Sequence, residues 1–112
     1  MRSARRRIGK QETAMPKAYV IGQFDIHDPD AYADYRAGTP ETIARHGGRF
    51  LVRAGRLETL EGEDPLPRIV VLEFPSFAAA KAWYDSEEYQ SLIPVRQAAA
   101  TGRSFLVEGA EE

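Results

Sequence analysis

The order of strand-like and helix-like segments is the feature that most constrains the fold of this chain. Four short segments, 18–26, 49–55, 68–74 and 104–108, are rich in β-branched and aromatic residues and read as strands. Longer segments with apolar residues at helical spacing separate the first strand from the second and the third from the fourth. The order β-α-β-β-α-β predicts an α+β, ferredoxin-like sandwich, with one four-stranded antiparallel sheet and both helices on one face.

Punctuating residues predict where the helices begin and end. Asp28 is suited to an N-cap and Pro29 to the first helical position. Pro40 predicts either a kink or a break in the first helix, which the Gly47-Gly48 pair then ends. In the second helical region we expect an N-cap, the start of a further turn, and a bend or division, at Ser76, Ser86 and Pro94 respectively.

The length of 112 residues corresponds to one domain, which we place at 17–109. A basic N-terminal extension occupies 1–16 and an acidic tail occupies 110–112. The first fourteen residues carry five basic side chains and one acidic side chain. They contain almost no apolar residue, so we interpret the extension as disordered, or as a product of an upstream start codon ahead of Met15.

Composition excludes several classes of protein. No apolar run approaches the roughly 20 residues of a membrane-spanning helix, and no cysteine is present to form a disulfide or a thiolate metal site. The chain after residue 14 has ten basic and sixteen acidic side chains, which argues against nucleic-acid binding. We therefore expect a cytoplasmic protein with neither nucleic acid nor a membrane as a partner.

Alternation along the strands divides their side chains between two faces of the sheet. The face predicted to lie under the helices carries Ala18, Val20, Phe24, Phe50, Val52, Ala54, Val70, Leu72 and Phe74, completed by Phe105 and Val107. The opposite face carries Tyr19, Ile21, Gln23, Asp25, Leu51, Arg53, Ile69, Val71, Glu73, Leu106 and Glu108. Its apolar part is too large to leave in water on a small monomer. This face predicts a homodimer in which two sheets pack together as a closed barrel, with polar groups lining or capping a cavity.

Charged residues of the outer face are candidates for catalysis. If Arg53, Glu73 and Asp25 point into the barrel, they must pair or meet a ligand, and burial could make Asp25 or Glu73 a general acid or base. The alternative is an intersubunit salt bridge. His27, beside Asp25, is a candidate general base at the barrel mouth, although a histidine next to a helix start is more often a surface or capping residue. With two histidines in the chain, no metal site is predicted.

Two tyrosines and two arginines are candidates for ligand binding. Tyr35 and Tyr89 can each place a ring in the apolar layer and a hydroxyl at a cavity. Arg96 lies seven residues after Tyr89 and continues its helical stripe. It could bind a substrate carboxylate, or pair with Glu88 or Asp85 to fasten the divided helix. Arg53 is the fourth candidate.

These landmarks resemble a bacterial family of domains of unknown function, numbered thirteen-thirty, in the dimeric α+β barrel superfamily. The resemblance covers about 17 to 109 and rests on Tyr32, Tyr35, Gly47-Gly48-Arg49, Leu60-Glu61-Gly62, the segment 70–76, Ala80, Trp83-Tyr84, Ser86, Glu88-Tyr89, Arg96 and Val107-Glu108-Gly109. The most specific part is Phe-Pro-Ser followed by Trp-Tyr-x-Ser-x-x-Tyr. The resemblance implies a ferredoxin-like fold and a homodimeric barrel, but no settled activity.

Relatives in that superfamily include cofactor-independent monooxygenases, haem-degrading enzymes, muconolactone isomerases and dye peroxidases. By this analogy of fold we expect a small, partly apolar organic ligand, no cofactor, and chemistry of an oxygenase or isomerase type. The alternative is a non-catalytic structural or sensory dimer whose barrel is filled by its own side chains. The residues alone do not separate these two functions.

Overall fold

The four strands form one antiparallel sheet in the order β2-β3-β1-β4, as the sequence predicts. The computed structural model describes residues 15–110, so the basic N-terminal segment through residue 14 and the last two residues of the acidic tail lie outside the described part. The strands are β1 Ala18–Ile26, β2 Arg49–Arg53, β3 Arg68–Phe74 and β4 Ala100–Glu108. The helices are α1 Pro29–Ala44, α2 Phe77–Asp85, α3 Glu87–Gln90 and α4 Ile93–Ala99. The predicted ferredoxin-like α+β fold is confirmed.

Helix α1 runs through Pro40 without a break. Its N-terminus has the predicted cap, because the Asp28 side chain accepts a hydrogen bond from the Ala31 amide at 3.1 Å. Proline leaves one carbonyl of the preceding turn without its usual amide donor. Beside this position, the hydroxyl of Thr39 donates to the Tyr35 carbonyl at 2.6 Å and so binds the backbone where the helix is weakened.

The second helical region divides into three pieces, with one division at Ser86, as predicted, and the other at residues 91–92, shortly before Pro94. Ser76 and Ser86 accept hydrogen bonds from backbone amides at the starts of α2 and α3. Pro94 lies in the first turn of α4, where its missing amide hydrogen has no cost. The divisions let α3 and α4 change direction over the sheet, which sets the positions of Tyr89 and Arg96.

The faces of β2 and β4 differ from the prediction. In β4, Leu106 is opposite the inward Val20, whereas Phe105 and Val107 are opposite Ile21 and Tyr19 and therefore lie on the outer face. The strand begins at Ala100, four residues earlier than expected, and its pairing with β1 rather than its own composition fixes the alternation.

A bulge between Phe50 and Val52 reverses the second half of β2. Val52 is consequently opposite Val71 on the outer face, and Arg53 is opposite Val70 on the face under the helices. Ala54, expected on the inner face, follows the strand with a φ of 59°. The prediction that Arg53 lies on the outer face with Glu73 is therefore wrong.

The core lies between the helices and the inner face of the sheet. It is aromatic around Trp83, whose ring centroid is 5.3 Å from that of Phe74 and 4.1 Å from that of Tyr89. The Trp83 indole nitrogen donates to the hydroxyl of Thr42 at 2.9 Å, joining α2 to α1. Within residues 15–110, no helix has the length and apolar character needed to span a membrane.

Candidate ligand-binding site

Two small adjoining compartments lie between the helices and the sheet. We call the first the arginine compartment, which is lined in part by Tyr32, Arg36, Phe50, Arg53 and Arg68. We call the second the tyrosine compartment, which is lined in part by Trp83, Tyr89 and Arg96. Both are bordered by Phe24, Tyr35, Val70 and Leu72. Their free volumes are about 40 and 30 Å³, room for a few water molecules each.

A hydrogen-bonded chain of two phenols and a guanidinium group lies in the tyrosine compartment. The hydroxyl oxygens of Tyr35 and Tyr89 are 2.7 Å apart, and Arg96 Nη1 donates to the Tyr89 oxygen at 2.8 Å. Three different helices supply the three side chains, α1, α3 and α4. The structure thus brings together three of the four predicted ligand-binding residues, although no ligand contact follows from this alone.

One phenolic hydrogen of this chain has no acceptor within the described residues. The two hydroxyls carry two hydrogens, and only one can lie between them. If Tyr89 donates to Tyr35, the Tyr35 hydrogen is left over; if Tyr35 donates, the Tyr89 hydrogen is left over. In either arrangement the pair retains one O–H donor beside a cationic group.

Arg96 is charged and stacked between aromatic rings. Its guanidinium carbon lies 5.4 Å from the ring centroid of Phe24 and 5.8 Å from that of Tyr35. Burial lowers the pKa of Arg96, but the phenolic oxygens of Tyr89 and Tyr35 outweigh it and leave the pKa above its ordinary value. The expected ion pair with Glu88 or Asp85 is absent, because Glu88 pairs with Arg45 and Asp85 with Lys81.

Burial also keeps two tyrosines in the neutral form. The pKa of Tyr89 is raised far above its usual value of 10.0, mainly by burial and further by its contact with Tyr35. Burial likewise raises the pKa of Tyr32, and the positive charge of Arg68 offsets only part of that effect. Near neutral pH, Tyr89 is therefore a hydrogen-bonding group and not a base.

The arginine compartment holds guanidinium groups against aromatic faces. The guanidinium carbon of Arg68 is 5.4 Å from the ring centroid of Tyr32, and that of Arg53 is 4.2 Å from the ring centroid of Phe50. The Nε atom of Arg68 is buried and has no hydrogen-bond partner within residues 15–110. A buried donor in this state is available to an acceptor that enters the compartment.

The ring of Phe24 lies across two glycines on the floor of the site. A Cβ atom on Gly22 would be 2.6 Å from Phe24 Cε2, and one on Gly102 would be 2.8 Å from Phe24 Cε1. The ring can therefore lie flat on the sheet only because neither strand carries a side chain there. In that position it borders both compartments.

The three residues predicted as catalytic do not lie in this cavity. Asp25 and His27 are exposed at the end of β1, and His27 binds Ala99 through its backbone amide. Glu73 lies on the outer face at the other end of the sheet, about 20 Å from Asp25 along β1. A hydrogen bond from Arg49 lowers the pKa of Glu73, and Tyr19 also donates to it.

Sequence reasoning missed Arg68, Arg36, Tyr32 and Phe24 as residues of the site. The alternation along the third strand could have identified Arg68, because it precedes Val70 and Leu72 by two and four positions and therefore lies on the same face. No pattern in the sequence signals the position of Phe24, which depends on Gly102 in a strand distant along the chain. Within residues 15–110, no group of three or more His, Asp or Glu side chains is placed to hold a metal ion.

The fold and site define a four-stranded α+β sandwich of the ferredoxin-like kind with an aromatic, arginine-bearing cavity between its layers. The chain matches the family described as domain of unknown function (DUF1330) over residues 17–110, and it belongs to that family. No curated protein matches it significantly.

Solved structures of other proteins have the same fold. A protein of unknown function from Rhodopseudomonas palustris is similar with a TM-score of 0.70 at 19% identity, over 87% of this chain and 85% of that chain. SnoaB from Streptomyces nogalater, a cofactor-independent oxygenase, is similar with a TM-score of 0.57 at 17% identity, over 87% of this chain and 96% of its own. At these identities the likeness establishes the fold.

Proposed function

We propose that this protein is a small homodimeric barrel protein whose cavity binds a small, partly apolar organic molecule by a carbonyl or phenolic oxygen. The observation that carries the proposal is the Tyr35–Tyr89–Arg96 chain, with its one unused phenolic hydrogen, in a compartment whose other lining residues are mostly aromatic and aliphatic. Aromatic walls favour a planar apolar ligand, and the donors orient its oxygen.

The same donors suit a reaction in which negative charge develops on that oxygen. When a proton leaves a carbon next to a carbonyl group, or leaves a phenol, the oxygen becomes an oxyanion. Arg96 and the spare phenolic hydrogen are donors that would stabilise this charge. Chemistry of a cofactor-independent oxygenase or isomerase type passes through such a state, and SnoaB, of the same fold, is a cofactor-independent oxygenase.

The residues that line the two compartments suit binding and charge stabilisation rather than proton abstraction. Among residues 15–110, no Asp, Glu or His borders either compartment, so these residues supply binding and charge stabilisation but no general base. The candidate bases Asp25, His27 and Glu73 would need a partner subunit or a rearrangement to reach the ligand.

The outer face of the sheet supports the homodimer. Val52, Phe105 and Val107 are 38%, 49% and 46% exposed, and they adjoin the half-buried Ile21, Ile69 and Val71. A contiguous apolar surface of this kind is uncommon on a monomer of 112 residues. A second copy would cover it with the same residues, as two-fold symmetry requires.

A second candidate function follows from the small free volume. Ordinary ligand pockets have about 300–1,000 Å³, whereas the two compartments are nearly filled by the side chains of the chain itself. This observation favours a non-catalytic structural or sensory dimer, unless a ligand displaces the Phe24 ring.

Titration of 4-nitrophenol separates the two functions, because its neutral and anionic forms absorb at different wavelengths. In excess protein we expect the pKa of the bound probe to fall by about one unit or more, since a tenfold preference for the anion equals one unit. Tyr89→Phe and Arg96→Met should reduce the shift, whereas Tyr19→Phe, which alters a phenol on the outer face, should leave it unchanged. A probe that does not bind, or binds with an unshifted pKa, would contradict the proposed function.

A further inference from the structure

Positive charge is concentrated in the arginine compartment of an otherwise acidic chain. The chain has 15 basic and 17 acidic side chains, and five of the basic ones precede Met15. Three of the remaining ten, Arg36, Arg53 and Arg68, nevertheless line one compartment. No carboxylate borders it, and none of the three forms an ion pair within the described residues.

Arg68 is the residue that points most directly to an anion. Its Nε atom is buried and has no protein partner among residues 15–110, and its guanidinium carbon lies 5.4 Å from the ring centroid of Tyr32. The planar guanidinium group presents a fork of N–H donors, and the unpartnered Nε is one of them. A carboxylate matches this fork, because its two oxygens accept two parallel hydrogen bonds.

The two compartments are arranged for a ligand with two oxygen-bearing ends. Phe24, Tyr35, Val70 and Leu72 border both compartments, so the space between the polar ends is apolar and aromatic. An aromatic ring lying there would direct one substituent to the Tyr35–Tyr89 pair and another to Arg68. The two free volumes, about 40 and 30 Å³, are smaller than an aromatic carboxylate, so such a ligand would have to displace the Phe24 ring that borders both compartments.

We propose that the ligand of this cavity is an aromatic carboxylate, with its carboxylate bound by Arg68 together with Arg36 and Arg53. This inference rests on the proposed function, because it assumes that the ring and its other oxygen occupy the space beside the tyrosine pair. The inference adds to the proposed function the charge of the ligand and the orientation of the ligand in the cavity.

The test compares 4-hydroxybenzoate with 4-hydroxybenzamide, which have nearly the same shape but differ in charge. Calorimetric titration of the full chain at neutral pH should show about tenfold or tighter binding of the acid. Arg68→Met should reduce the preference to about twofold or less, and Arg68→Lys, which keeps the charge but loses the planar fork, should give an intermediate value. Arg45→Met, which alters an exposed arginine paired with Glu41 and Glu88, should retain the full preference.

The outcomes distinguish this inference from the proposed function. Equal affinity for acid and amide, or a preference that survives Arg68→Met in a folded variant, overturns the carboxylate assignment and leaves the 4-nitrophenol result standing. Absence of binding by both compounds also overturns it. If the wild-type chain does not lower the pKa of 4-nitrophenol, the proposed function is overturned, whichever of the two benzoate-like compounds binds more tightly.

Discussion

At the scale of single residues, the cavity is defined by what surrounds the hydroxyl group of Tyr89. Tyrosine in water is a weak acid with a pKa near 10. Here its oxygen is buried, accepts from Arg96 and lies 2.7 Å from the oxygen of Tyr35. Burial and the contact with Tyr35 hold it in the neutral form, although the positive charge of Arg96 acts in the opposite direction, and Tyr89 is part of a donor pair.

This environment predicts a loss of stability at alkaline pH. The pKa of Tyr89 is raised in the folded protein, so above pH 10 the unfolded chain releases a proton that the folded chain retains. The stabilisation is complete below pH 10 and falls as pH rises above it, by about 1.4 kcal/mol per pH unit for one such group. Urea unfolding between pH 8 and about 11.5 should show a shallower decline for Tyr89→Phe than for the wild type. Identical declines in unfolding free energy for the two proteins would contradict a raised pKa of Tyr89.

At the scale of secondary-structure elements, two glycines in neighbouring strands determine where the floor of the cavity lies. Gly22 in β1 and Gly102 in β4 leave the space that the Phe24 ring occupies. The cost of glycine in a strand is offset by the packing of this ring on the sheet. With a side chain at either position, the ring would rise into the compartments.

We therefore predict that Gly102→Ala destabilises the protein and alters the cavity. The new Cβ would lie 2.5 Å from the carbonyl oxygen of Gln23 and would overlap the Phe24 ring. Overpacking of this kind costs about 1–3 kcal/mol of unfolding free energy in urea denaturation. Gly55→Ala is the matched control, because a Cβ there meets nothing within 4 Å, and we expect it to cause no loss. Equal stability of the two variants would show that Phe24 does not depend on Gly102.

At the scale of the whole molecule, the outer face of the sheet carries apolar side chains that a single chain leaves exposed to water. Sedimentation equilibrium should give a mass twice the 12.5 kDa of the chain. Phe105→Glu should shift the equilibrium to the monomer, because it places a charge in the apolar interface. Phe77→Glu, which alters a phenylalanine of similar exposure on α2, should remain dimeric. A monomeric wild-type chain, or a dimeric Phe105→Glu variant, would contradict the proposed assembly.

Much of the fold was predictable because its signals are local. The caps at Asp28 and Ser76, the start of a further turn at Ser86 and the division near Pro94 each depend on neighbouring residues, and the structure has all of them. The seven-residue spacing predicted Arg96 on the stripe of Tyr89, and the two side chains are in contact, although they lie on different helices. At Pro40 the sequence predicts a kink or a break, but helix α1 continues through this residue.

The sequence by itself determined the order of elements, the caps and the aromatic character of the layer between helices and sheet, because these follow from backbone preferences and from the spacing of apolar residues. Tertiary structure decided which face each side chain of β2 and β4 occupies, since a bulge and the register with neighbouring strands set that alternation. It therefore separated Arg53 from Glu73 and placed Arg53 beside Arg68. The candidate site exists only in the folded chain, because its residues come from the sheet and from the four helices α1 to α4.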